Sequence, residues 1–197
     1  LDGDGDVDVI STGQFSVEWY ENNGSESFTA HGVSSVGSGA TLNAAAAADL
    51  DGDGVVDILA ASSNDRVCWL QNDGSESFTE HIMTTLADLP YAVVAADVDG
   101  DGDMDAVVAS QNDAAIAWLE NACDTFAPTA SAAPSVAPSL SFRPTPAPTP
   151  RPAVRCVGVP AFGEHIVSTL AGSAFSAGAA DIDGDFDVDL LSGAYTE

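Results

Sequence analysis

The chain has 197 residues, 31 of them acidic, against four arginines and no lysine, for a formal net charge of −27. Arg66, Arg143, Arg151 and Arg155 could not neutralise a phosphate backbone, so nucleic acid is excluded as a partner, and an anionic membrane surface would repel the chain. A hydrophobic share of 45% is that of a globular chain of one or two domains. No apolar stretch approaches the ~20 residues that cross a bilayer, so no membrane insertion is expected within this segment. No basic region followed by an apolar run marks a signal peptide.

In chain order, the first feature is an acidic loop. Asp2, Asp4, Asp6 and Asp8 alternate with Gly and Val, and the opening Asp of the pattern is expected to lie before residue 1. Trp19-Tyr20-Glu21-Asn22 follows, then the turn Asn23-Gly24-Ser25, a standard N-glycosylation acceptor at Asn23. Gly24–Thr29 recurs letter for letter as Gly74–Thr79. Ala44–Ala48 is tempting as helix, but its register equals that of 93–96 and 178–180, which favours a strand.

The loop pattern is complete three times, as Asp-x-Asp-Gly-Asp-Gly-x-x-Asp or a close variant. The copies are Asp49, Asp51, Asp53 and Asp57; Asp97, Asp99, Asp101 and Asp105; and Asp181, Asp183, Asp185 and Asp189. The four loops hold 18 of the 31 acids, which is clustering rather than a uniformly solvated acidic surface. Around the third loop, strands are expected over 91–98 and 104–110, with another over 115–120 and, one unit earlier, 78–84. Each run is short, apolar and bounded by Gly, Asn or Asp. Trp69-Leu70-Gln71-Asn72 and Trp118-Leu119-Glu120-Asn121 repeat the first Trp motif at a spacing of about 48 residues.

Residues 124–155 interrupt this pattern with Pro, Ser, Thr and Ala, a composition that favours extended polyproline II and cannot bury a core. O-glycosylation is expected at Thr129, Ser131, Ser135, Ser139, Thr145 or Thr149. Cys123 and Cys156 bracket the segment and are expected to form a disulfide, which would contribute roughly 3–4 kcal/mol and imply an oxidising setting. Phe162-Gly163-Glu164-His165 then answers Phe78-Thr79-Glu80-His81, so the repeat resumes. The expected organisation is a repeat domain at 1–123, an insertion at 124–155 and the continuation of the repeats at 156–197.

Carboxylates at alternate positions of a tight loop converge on one point, and intervening glycines allow the positive φ this requires. Six to eight oxygens at flexible geometry suit Ca²⁺, up to four ions in all. The backbone carbonyl near Val55, Asp103 or Asp187 is a further expected ligand. Mg²⁺ suits the loops less, and Zn²⁺ would want His or Cys. An EF-hand needs Glu at the twelfth position and flanking helices, whereas Ala60, Val108 and Ser192 stand there. His31, His81 and His165 share one register, as do Trp19, Trp69 and Trp118, which points to packing. Cys68 beside Trp69 reads as a buried thiol. No nucleophile elbow or phosphate loop is present, so no enzyme is expected.

The loops, with Val56–Ser62 and Met104–Ser110 after them, resemble FG-GAP/VCBS-type repeats, the calcium-loop repeats of integrin α-chain propellers. The resemblance implies Ca²⁺ ligands at the loop aspartates and, in the usual member, seven blades, against about four units here. Phe186 replaces the second loop Gly and is expected to weaken the fourth site. The expected fold is all-β: propeller-type four-stranded blades in an open or partial array, or alternatively a linear β-repeat array. Both ends of the sequence are expected to cut through a blade, leaving edges that another chain could pair. The expected function is a non-catalytic extracellular or cell-surface structural or adhesion protein, with copies of itself, other extracellular proteins or glycans as partners. A glycosylated fibre assembled head to tail is one form of it. A carbohydrate- or protein-binding module of a larger receptor or enzyme is the alternative, and a hydrolase using a metal loop a third reading.

Overall fold

The structure is a computed structural model that describes residues 1–25, 27–33, 39–122, 159–169, 173–184 and 187–195. Among the described residues it holds thirteen strands in four antiparallel sheets and no helix. The first sheet is β1 (Val9–Thr12), β2 (Val17–Asn22) and β3 (Phe28–Val33). The second is β4 (Leu42–Ala48), β5 (Asp57–Ser62), β6 (Arg66–Asn72) and β7 (Phe78–Thr84). The third is β8 (Pro90–Ala96), β9 (Asp105–Ser110), β10 (Ala115–Ala122) and β11 (Ala161–Ser168), and the last pairs β12 (Ser173–Ala180) with β13 (Asp189–Tyr195). Within each sheet the strands follow chain order.

The expected all-β, open repeat arrangement is what the chain forms. Ala44–Ala48 is strand, because its Gly- and Asp-rich flanks end any helix within a turn and its alanines fit between neighbouring sheets. The strand expected over 91–98 stops at Ala96, since Asp97 already turns into the acidic loop.

The four units stack through their sheet faces. On β5, Ile58 and Ala60 face the first sheet, where they join Val17, Trp19 and Val33; Leu59 and Ala61 face the third, where they join Val93, Ala106 and Val108. On β9, Val107 and Ala109 point the other way, to Ala174 of β12. A strand with both faces covered reads as a continuous apolar run, and every residue of β5 and β9 is buried. Alanine at four of these twelve positions lets the sheets approach closely.

The first strands lie side by side: β4 packs on β8 and β8 on β12. Each carries a bulge at the same place, at Leu42/Ala44, Pro90/Ala92 and Ala174/Ser176. The bulged residue is re-aimed at the next unit. Asn43 Nδ2 donates to the Pro90 carbonyl at 2.9 Å, and the Tyr91 ring meets Phe175 edge-on at 5.3 Å.

Candidate metal centres

The second, third and fourth acidic loops each join the first strand of a sheet to its second, β4 to β5, β8 to β9 and β12 to β13, and the first acidic loop leads into β1. The turn is held by the carboxylates themselves. In the second loop, Asp49 Oδ1 and Asp51 Oδ1 accept the Asp53 N–H at 3.0 and 3.1 Å, and Asp49 Oδ2 accepts the Gly54 N–H at 2.9 Å. In the third, Asp97 Oδ2 accepts the Gly102 N–H at 3.0 Å and Asp101 Oδ1 that of Asp103 at 2.9 Å. Side-chain-to-backbone bonds of this kind are why Asp builds turns. Gly100 and Gly102 sit at φ +75° and +102°, where a side chain would be strained.

This geometry gathers Asp49, Asp51 and Asp53 so that one oxygen from each lies within 4.8 Å of the others, and Asp97, Asp99 and Asp101 likewise. Asp181, Asp183 and Asp189 form the third such group; Asp185 and Phe186 lie outside the described residues, Asp187 is exposed. In the first loop Asp2, Asp4 and Asp6 follow one another through backbone bonds at 3.1 and 2.8 Å without forming such a group. Carboxylates this close repel by about 1–3 kcal/mol per pair, depending on the local dielectric. One oxygen of Asp97 is buried with no hydrogen-bond partner. An all-oxygen donor set with an orphaned carboxylate oxygen fits a hard divalent cation such as Ca²⁺.

The ninth loop position has a further duty. Asp57 is fully buried; its Oδ2 accepts the Leu50 N–H at 3.1 Å and its Oδ1 the Asn72 N–H at 2.8 Å. Asp105 does the same with Val98 at 2.9 Å and Asn121 at 2.8 Å, and Asp189 Oδ2 accepts the Ile182 N–H at 2.9 Å. Asp8 repeats the pattern with Asn22 at 2.9 Å and with the Leu1 amine. Burial pushes Asp57 and Asp105 up to about 6, against these bonds, which favour the charged form. In the second and third loops the aspartate at this position thus clasps the loop to the strands while the first three converge; in the fourth, Asp189 does both, since it also joins Asp181 and Asp183. The spacing alone did not separate these roles, because all four are aspartate.

Asn72 and Asn121 complete the clasp. Each is nearly inaccessible and its side-chain amide donates twice: Asn72 to Val56 at 3.1 Å and Leu1 at 3.2 Å, Asn121 to Met104 at 3.0 Å and Leu50 at 2.7 Å. Their recurrence three residues after Trp was the visible signal, but one partner of each lies 71 residues away in sequence.

The tempting residues are occupied structurally. His31, His81 and His165 stack on Trp19, Trp69 and Trp118 with ring centroids 4.3, 4.6 and 4.7 Å apart. Their Nε2 atoms meet Glu21, Gln71 and Glu120 at 2.8, 3.1 and 2.6 Å. Cys68 is buried, and burial together with the Glu80 carboxylate pushes its thiol up to about 12, which makes it inert. Asn23 is on an exposed turn, its Oδ1 accepting from Ser25. Cys123, Cys156, Thr129, Ser131, Ser135, Ser139, Thr145 and Thr149 lie outside the described residues.

The family model described as FG-GAP-like repeat matches the chain twice, over residues 1–60 and 53–108. No curated protein and no solved structure matches it.

Proposed function

The chain belongs to the FG-GAP-like repeat family, and on that premise we propose that it is a non-catalytic, extracellular structural or adhesion module rigidified by Ca²⁺. The observation that carries this reading is the third loop, where three carboxylates converge and a buried Asp97 oxygen has no partner. Asp49, Asp51 and Asp53, and Asp97, Asp99 and Asp101, would hold the ions, with Asp181, Asp183 and Asp189 a third set. A bound cation there supplies positive charge that offsets the carboxylate repulsion. The side chains around the loops then keep the turns in place: Asp57 and Asp105 anchor loop to strand, and Gln71 Nε2 steadies Asp51 Oδ2 at 2.6 Å.

A non-catalytic role is supported by how the candidate acid–base groups are used. The three histidines are committed to Trp stacking, and the buried aspartates accept backbone bonds. An extracellular setting is supported by the family, whose members are typically extracellular. Among the described residues no helix is long and apolar enough to cross a membrane. The partner is proposed to be another extracellular protein, a glycan or a further copy of the chain, with the Pro/Ser/Thr-rich segment carrying sugar.

Calorimetric titration with CaCl₂ and thermal unfolding with and without chelator test the metal reading. Three sites filled at a hundredfold over Kd raise Tm by about 15–30 °C in a chain of this size. Absence of binding heat together with an unmoved Tm rejects the reading. Electron microscopy and glycan arrays test the structural and adhesive halves, and intact mass the glycan.

A further inference from the structure

Asn121 belongs to the third sheet, yet one of its amide hydrogens is given to the second unit's loop. The acceptor is the carbonyl of Leu50, which stands between Asp49 and Asp51. The other hydrogen goes to Met104, in the third loop itself. Leu50 is held from its other end too, since its N–H is accepted by Asp57. Asn121 and Leu50 are each 1% exposed, so water does not compete for the bond between them. A planar amide with two fixed hydrogens cannot follow one loop without moving against the other. Asn72 occupies the same place between the first and second loops, bridging Leu1 and Val56.

We propose that Asn121 is a coupling residue: through its side-chain amide, ordering of the Asp49/Asp51/Asp53 loop favours ordering of the Asp97/Asp99/Asp101 loop, so that the two sites fill cooperatively. The inference rests on the Ca²⁺ reading of these loops. Carboxylate repulsion opposes the closure of each loop and a bound cation relieves it, and closing either one sets the Leu50 and Met104 carbonyls at the spacing Asn121 requires. The second loop then closes with part of its ordering already complete, which is positive cooperativity without contact between ions. Direct electrostatics between two cation sites acts in the opposite sense, since like charges repel.

The test is a CaCl₂ titration of the full chain followed by NMR at two backbone amides. Gly54 N–H bonds Asp49 and Gly102 N–H bonds Asp97, so each reports one loop. Disabling the second loop with Asp51→Asn is expected to raise the Ca²⁺ midpoint read at Gly102 by about fivefold or more. In the Asn121→Ala background the same substitution is expected to leave that midpoint unchanged. Repeating both titrations at high salt removes the through-space contribution of the lost charge. A Gly102 midpoint indifferent to Asp51→Asn at high salt, or one that moves equally in the Asn121→Ala chain, overturns the coupling. Where Asn121→Ala fails to fold, Asn121→Ser takes its place; where neither folds, the high-salt comparison in the otherwise unaltered chain decides alone. If neither Gly54 nor Gly102 responds to Ca²⁺, it is the metal reading that fails, and the coupling with it.

Discussion

The second and third sheets are built on one register and differ at one connection. Trp69 pairs with His81 across β6 and β7, and Trp118 with His165 across β10 and β11. The second sheet joins these strands through five residues, whereas the third places 38 residues between Ala122 and Ala161. In the short turn, Asn72 Oδ1 accepts the Gly74 N–H at 3.1 Å; the matching Asn121 Oδ1 is buried with no partner. Strand register therefore does not depend on the turn. It is set by Trp–His stacking, by the Asp clasp and by the faces buried against neighbouring sheets, so a long low-complexity insertion is tolerated where a turn stood.

A second difference is burial. Trp69 is fully covered and meets Phe162 of β11 edge-on at 6.5 Å, while Trp118 is only half-buried. Trp69→Ala is expected to cost about 3–5 kcal/mol, and Trp118→Ala about 1–2 kcal/mol less, by urea unfolding in Ca²⁺. Equal losses would break the distinction between the sheets.

Replacing residues 123–160 with the 73–77 sequence should keep the fold and stabilise the chain by about 2 kcal/mol through the shorter closure. A gain seen only when the parent is reduced would identify Cys123–Cys156 as a link that already closes the loop. Loss of the folded spectrum would show that the insertion, and not the sheet, holds β11 in register.

The residue two past the Trp is Gln71 in one sheet and Glu120 in the other. Gln71→Glu removes the donor to Asp51 and is expected to cost about 1 kcal/mol in chelator. The penalty should shrink in saturating Ca²⁺. Glu120→Gln should be close to neutral by the same unfolding measurement.

The remaining effect is shared by both sheets. Asp57 and Asp105 have pKa values raised to about 6 in the folded chain, so the folded state binds protons more tightly between pH 4 and 6 than the unfolded chain does. Their contribution therefore falls as pH rises through that window. In chelator, calorimetry is expected to show Tm rising by about 5–10 °C from pH 7 to pH 5, and Asp105→Asn should remove part of that rise. A Tm that falls on acidification in chelator contradicts the burial of these groups.

Much of this was legible in order along the chain. The 48-residue recurrence, the strand lengths and the placement of the acidic loops follow from local signals: Gly and Asp at the turns, short apolar runs between them, and Trp at one register. The same local pattern showed that Phe162–His165 resumes the repeat after the insertion. The convergence of Asp49, Asp51 and Asp53 was also expected, because alternate carboxylates in a glycine turn have little choice. What stayed hidden was division of labour among identical letters. Asp57 and Asp51 are the same residue in the same motif, but one is sealed against Leu50 and Asn72 while the other faces its loop partners. Asn121 could be seen to recur, yet its meaning lay in a carbonyl 71 positions back. Pattern and turn chemistry act over a few residues, so the sequence carries them directly. Burial, the pairing of one unit with the next and the choice of which carboxylate becomes a clasp arise only when distant segments share a face, and the tertiary structure decides them.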